Sequence, residues 1–390
     1  MSKRTYLDHN ASAPVRPEVR TVVAELMEKH GNPSSVHSEG RQLRGRIEKA
    51  REQVAALVGA DPRNVIFTSG GTEANTTALA PENAGSSGTK DVVCFVSDVE
   101  HPSVLAGGRF DANIIRRVPV TETGVADIAT LESMIVQHHE RHADAPFMVS
   151  LMRANNETGA LQPVSEISGF VKEHGGTMHC DAIQAAGKVP VDISDLGVQM
   201  LSLSAHKIGG PQGVGALVLG SGMSSLAKPL VIGGGQEFRA RSGTENVAGI
   251  AGFGEAAEIA QRELGQVSKL AVMRDRLEEN IRACAPEVSV FGAGTQRLPN
   301  TCCFATSGMK SETIVIALDL AGVAVSAGSS CSSGKVEKSH VLEAMGVDDD
   351  LARGAIRVSL GWNTTQDDID KFVAAWSGIY DQFSKEAAAA

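Results

Sequence analysis

Residues 201–219 read LSLSAHKIGGPQGVGALVL, and this stretch decides the fold. Residues 200–204 form a strand-length apolar run, nearly continuous, as expected of a strand covered on both faces. A second run, 214–219, comes after a bend holding Gly209, Gly210 and Gly213. His206 and Lys207 therefore stand where a strand gives way to a glycine-rich turn. Lys207 admits two readings. In a pocket its amine is desolvated, which lowers its pKa and makes it a nucleophile toward an aldehyde. In a hairpin it is an ordinary surface lysine. On the first reading Ser204 and His206 are placed to donate hydrogen bonds to a phosphate.

The same pattern extends upstream. Short apolar runs at 65–68, 92–97, 147–152 and 178–180 alternate with helical spacings. Val164, Ile167, Phe170 and Val171 share one side of such a segment, with Gly175 beyond its end. Strand–helix alternation of this kind predicts a doubly wound α/β fold, with a mostly parallel sheet covered by helices. Its ligand site belongs beyond the carboxyl ends of the strands. From Val247 the pattern changes to a helix-rich segment reaching about Ala285, a strand at 302–305 and a helix at 313–320. Thr365 and Asp368 then form an approximate capping box for a last amphipathic helix. The expected division is a large α/β domain over residues 15–255 and a smaller α+β domain from 1–14 and 256–390.

Composition narrows the function. The chain has 390 residues, 42% hydrophobic and 21% charged, an ordinary globular balance. A net charge of −10 argues against nucleic acid or an anionic membrane as the main partner. No apolar run reaches the roughly 18–20 residues needed to span a bilayer, and the start MSKRTYLDHN has no secretory character. Six cysteines without CxxC pairs suggest neither a zinc site nor a disulfide framework, so a reducing cytoplasm is expected.

Four further segments carry chemistry. In HCDAIQAAGK, Asp181 ends an apolar strand, where a buried carboxylate needs a cationic partner; a protonated pyridine nitrogen would serve, and capping the next helix is the alternative. Gln184 is near enough to reach the same ring. His179, Cys180 and Asp181 alternate across strand faces and cannot converge on a metal ion. In VIFTSGGTEAN, Gly70 and Gly71 permit close backbone approach, and Thr72 with the helix N-terminus offers phosphate donors. Neither GxxxxGK[ST] nor a GxGxxG after a strand occurs, so nucleotide readings lose ground. In DVEHPSVL, His101 either stacks on an aromatic ring and shuttles protons or is a turn residue before proline. Cys331 lies in SAGSSCSSGK, where small polar residues predict an exposed, mobile loop and either a reactive or a merely tolerated thiol.

Together these segments resemble the cysteine desulfurases of the NifS/IscS group, among the fold-type I enzymes of pyridoxal 5′-phosphate (PLP). The resemblance runs nearly end to end, through YLDHNASAPV, GNPSSVHSEGR, FTSGGTEAN, EHPSVL, NNETGALQPV, HCDAIQAAGK, SLSAHKIGGPQGVG, GGGQEFRARSGTENVAGI, SAGSSCSSG, SHVLEAMG and IRVSLG. It implies that Lys207 is the Schiff-base lysine and that His101 stacks on the cofactor. Asp181 would pair with the pyridine nitrogen and Gln184 with the phenolic oxygen. Gly71, Thr72, Ser204 and His206 would surround the phosphate. Thr244 would reach the phosphate of a partner subunit, which makes a homodimer the expected unit. Asn156 would touch the cofactor and, with Arg357, orient the substrate. Cys331 would accept sulfur from L-cysteine as a persulfide, leaving L-alanine and passing sulfur to an acceptor or scaffold protein for iron–sulfur cluster or other cofactor assembly. Cys180, the loop continuation GKVEKSH and the C-terminal ending depart from the usual pattern, which leaves the acceptor open. A selenocysteine lyase or another class V aminotransferase would share the cofactor but not the acceptor thiol. A non-catalytic scaffold would lack the lysine.

Overall fold

The computed structural model describes residues 4–85, 92–142, 145–223, 225–328 and 338–389. Seven strands build the main sheet: β1 (Val65–Thr68), β2 (Val93–Ser97), β3 (Ile115–Val118), β4 (Phe147–Ser150), β5 (Thr177–Asp181), β6 (Met200–Ser204) and β7 (Gly215–Leu219). Their spatial order is β1-β7-β6-β5-β4-β2-β3. All neighbours pair in parallel except those of β7, which runs against β6 and β1. Alternate residues feed two cores. Phe95, Phe147, Val149, Cys180 and Leu201 pack on one face, and Cys94, Val96, Met148, Met200 and Leu217 on the other. Burial on both faces is why runs such as Val93–Ser97 and Gly215–Leu219 carry no polar alternation; β6, MLSLS, alternates although its serines are buried too.

Strand β3 was not foreseen. Its sequence, IRRV, places two exposed arginines on an edge strand paired only with β2, so the apolar signal is missing. The six expected strands are present, with ends shifted by a residue or two.

Among the helices that brace the sheets or reach the cavity between them are α1 (Ser38–Leu57), α2 (Gly71–Ala78), α3 (Val247–Glu263) and α4 (Gln366–Ala389). A β-carbon on Gly254 of α3 would lie 2.6 Å from Ala50 Cα, so glycine allows α3 to lie against α1. Ile250, Phe253, Ala256 and Ile259 of α3 thereby join the core of the main sheet.

The C-terminal part of the chain forms a second, antiparallel sheet: β8 (Ser289–Phe291), β9 (Thr301–Ala305), β10 (Ser326–Ala327) and β11 (Ile356–Ser359), in the order β10-β11-β9-β8. Its core contains Phe304, Ile356, Val358, Phe372 and Trp376, with the Phe304 and Trp376 rings 5.0 Å apart, edge to face. Before α4, Thr365 N donates to Asp368 Oδ2 at 2.9 Å and Asp368 N to Thr365 Oγ1 at 3.4 Å, the anticipated reciprocal cap. The strand Thr5–Tyr6 pairs with Val323–Ala324, so the N-terminal segment leaves the small sheet and runs toward the large one. Among the described residues no helix is long and apolar enough to cross a membrane.

One buried ion pair braces the frame. Arg51 of α1 meets Glu237 through two hydrogen bonds of 2.7 and 2.8 Å, and Glu237 also accepts from Phe67 N of β1. Glu237, Phe238 and Arg239 hold left-handed backbone, with φ of 45°, 55° and 69°, a conformation that needs outside support. Replacing Arg51 with Met strands the Glu237 charge in the interior. The variant should unfold at lower urea concentration, with a loss of about 3–5 kcal/mol.

Candidate active site

A cavity of about 240 Å³ opens at the carboxyl ends of the parallel strands. Asp181 ends β5, Ser204 ends β6, and His206 and Lys207 lie on the single helical turn after it. His101 comes shortly after β2, and Gly71 and Thr72 open α2 after β1. Arg357 arrives from β11 of the small sheet, opposite Ser326 of β10. Gly71, Thr72, His101, Asn156, Asp181, Gln184, Ser204, His206, Lys207 and Arg357 all line this one cavity. Thr244 is exposed and does not line it. Cys331 lies outside the described residues.

At the mouth of α2 a β-carbon on Gly71 would sit 2.2 Å from Ile183 Cδ1, so a larger residue there would have to displace the Ile183 side chain from the cavity wall. At the far end, Asp181 is buried and accepts from Asn75 Nδ2 at 2.8 Å and Ile183 N at 3.0 Å. Lys207 Nζ donates to the carbonyls of Asn10 at 2.6 Å and Ala11 at 2.9 Å.

The bases around the cavity are held neutral. Burial, with Lys207 and Lys188 nearby, pushes His206 down to about 4. Burial also lowers His101, against the opposing pull of Asp181 and with help from Lys207 and His340. His101 Nδ1 lies 2.8 Å from Ser103 Oγ and 3.1 Å from Ser103 N, which fixes the ring. Arg357 is 1% exposed, and its Nη1 and Nη2 donate to Asn156 O and Asp8 Oδ1, each at 3.0 Å. Its Nε is buried without a partner among the described residues, an edge left for an anion.

Known proteins are similar to this chain in sequence and in fold. A family model described as aminotransferase class-V matches residues 5–372. A cysteine desulfurase IscS of Dictyoglomus turgidum is 41% identical over 95% of this chain and 93% of its own. A cysteine desulfurase of Cereibacter sphaeroides is 42% identical over 97% and 96%. The chain belongs to the class-V aminotransferase family, among its cysteine desulfurases. The crystal structure of a NifS-like protein from Rickettsia africae agrees in fold, with a TM-score of 0.85 at 34% identity over 97% of this chain and 99% of that one. A structure described as SspA in complex with cysteine matches with a TM-score of 0.74 at 28% identity, over 91% and 98%.

Desulfurases of this family depend on PLP, and the residues present fit it. A buried carboxylate, a primary amine and a helix N-terminus with hydroxyl donors surround a single cavity, in the chemical complement of a pyridinium, an aldehyde and a phosphate. Reading the sequence alone missed Asp8, Asn10, Asn75 and Lys188, which position these groups. Asp8 and Asn10 lie in the quoted segment YLDHNASAPV, but nothing in their spacing announces partners more than 100 residues away.

Glu157, next to Asn156, offers a test of the burial argument. It accepts a hydrogen bond from Ser339 Oγ, at the start of a short helix, and burial pushes it up to about 7 despite Arg357. The folded state therefore binds its proton more tightly than the unfolded chain does. The associated stability is full below about pH 4.5 and is lost as pH rises through about 7. Glu157→Gln should match the wild type in melting temperature near pH 5 and gain on it progressively toward pH 8. A difference independent of pH would contradict the assignment.

Proposed function

We propose that the chain converts L-cysteine to L-alanine, with PLP bonded to Lys207 and the sulfur received by Cys331 as a persulfide. The observation that carries this reading is the meeting of Lys207, Asp181, Gln184, His101 and Arg357 around one cavity. They come from separate segments of the chain, and each supplies a function the reaction needs.

Arg357 binds the substrate carboxylate through its open edge, a charge-assisted contact fixed in direction by Asp8 and Asn156. When bound, PLP supplies an electron sink that stabilises negative charge at the substrate α-carbon. Asp181 would hold the pyridine nitrogen protonated, and Gln184 would donate to the phenolic oxygen. Gly71, Thr72, Ser204 and His206 would hold the phosphate. Lys207 Nζ, released when the substrate amine takes its place, would take the α-proton, and His101, its proton affinity lowered by burial, would move a proton at the substrate. The Cys331 thiolate then attacks the substrate sulfur. The carbon–sulfur bond breaks, a sulfur–sulfur bond forms, and protons return to carbon to give alanine.

Two features support Cys331 as acceptor. Burial pushes the thiols of Cys94, Cys180, Cys302 and Cys303 far above the ordinary range, so none of these four forms a thiolate readily. The strand β10, just before Gly328, pairs with β11 at Arg357, so the chain sets out toward Cys331 from the substrate clamp itself. Exposed Thr244 is assigned to the phosphate of a second copy, which makes the working unit a homodimer. The persulfide sulfur then passes to an acceptor or scaffold protein.

Incubating the protein with L-cysteine and a reducing thiol should yield sulfide and alanine in equal amounts. Lys207→Ala should abolish both products and the borohydride-fixed link between protein and cofactor. Cys331→Ala should keep the cofactor's visible band and lose desulfuration. Arg357→Ala should raise KM for cysteine about 10–100-fold, as expected from losing about 1.5–3 kcal/mol of charged hydrogen bonding. Normal desulfuration by Cys331→Ala would favour a lyase without an acceptor thiol.

A further inference from the structure

A second amine stands behind the cavity wall. Lys188, four residues after Gln184, is 9% exposed, and its Nζ donates to Gln184 Oε1 at 2.7 Å and Asn10 Oδ1 at 3.2 Å. Gln184 Nε2 donates to Asn10 O at 2.9 Å, the same carbonyl that receives Lys207 Nζ. Both carboxamides are thereby fixed in orientation. Asn10 Oδ1 also receives Asn300 Nδ2 at 3.0 Å, while Asn10 Nδ2 donates to Thr301 Oγ1 at 2.9 Å and Asn156 O at 3.2 Å. Turning Gln184 over would set its NH₂ against the Lys188 amine and its oxygen against the Asn10 carbonyl, two mismatched contacts at once. Asn10 O is a carbonyl and can only accept, so Gln184 turns Nε2 toward it and leaves Oε1 to receive the Lys188 Nζ hydrogen.

We propose that Lys188 is a positioning residue which locks Gln184 with its amide nitrogen, not its oxygen, presented to the ligand. The first Nε2 hydrogen is spent on Asn10 O, and the second remains for an acceptor oxygen in the cavity that Gln184 lines. This inference rests on the reading that PLP is bonded to Lys207, because a phenolic oxygen is the acceptor in question. Lys188 is an expensive way to hold an amide. Burial, and then the charges of Lys207 and Arg357, lower its proton affinity well below that of a free lysine. An apolar side chain would fill the space at less cost, but it would leave Asn10 O as the single remaining hold on the orientation of Gln184.

The test is a pH titration of the holoenzyme's visible band. A donor on the phenolic oxygen stabilises its anionic form and opposes protonation of the lysine–cofactor chromophore. Lys188→Met should therefore raise the titration midpoint by about half a unit or more, a threefold or greater gain in proton affinity. Gln184→Ala should raise it similarly, and Lys188→Met should add little in that background. Lys188→Arg, which keeps the donors and the charge, should stay near the wild-type midpoint, and it serves as the second variant if Lys188→Met does not fold.

An unchanged midpoint in Lys188→Met, the same increment with or without Gln184, or a Lys188→Arg shift as large as that of Met would each overturn the proposal. A purely packing role would lower the melting temperature and leave the midpoint alone. Failure of borohydride to fix the cofactor to Lys207 would instead overturn the cofactor assignment, and the two failures are read from different measurements.

Discussion

The geometry depends on one buried side chain, Asn10, which is 1% exposed and saturated with hydrogen bonds. Its backbone N–H donates to Ser359 Oγ of β11, and its side chain meets Thr301 of β9 and Asn300 just before it. Its carbonyl receives Lys207 and Gln184 from the large sheet. The small sheet carries Arg357 two residues from Ser359, so the carboxylate clamp and the reactive amine are registered through Asn10. A buried amide with a missing partner loses about 1–3 kcal/mol. The two sheets therefore have one well-satisfied arrangement, and slippage between them leaves several polar groups unpaired together.

Much of this was legible in the sequence. Strands buried on both faces show themselves as apolar runs, and a doubly wound sheet places its ligands at their carboxyl ends. Asp181, Ser204 and Lys207 therefore followed from where runs stop. The edge strand β3 was not legible, because solvent on its outer side permits Arg116 and Arg117. Nor were the partners of Arg357 and Lys207. Asp8 is 349 residues from Arg357 and Asn10 is 197 from Lys207, and periodicity carries no information over such separations. Thr244 acquires a role only if a second chain is considered.

The electrostatics arise from burial more than from net charge. The chain is strongly acidic overall, yet Lys188, Lys207 and Arg357 gather in one part of its interior. Loss of water first, then Lys188 with Arg16 beside His9 and Lys207 with Lys188 beside His206, holds both imidazoles down to about 4. Glu100 responds in the opposite sense. Fully buried and beside Asp181, it is pushed well above the carboxylate range, and it accepts from Met152 N at 2.7 Å.

A network of this kind stabilises the fold weakly, since each buried charge gives up hydration that its partners only partly restore. What it supplies is direction. Gln184 has two chemically distinct edges, and its neighbours decide which one a ligand meets, while the neighbours of Arg357 decide which of its donors stay open. Apolar replacements would keep the volume and lose that choice. The placement of Lys188, Asp8 and Asn300, none of which needs to touch the reacting atoms, is intelligible on that ground: they fix orientation at sites where packing alone would leave it free.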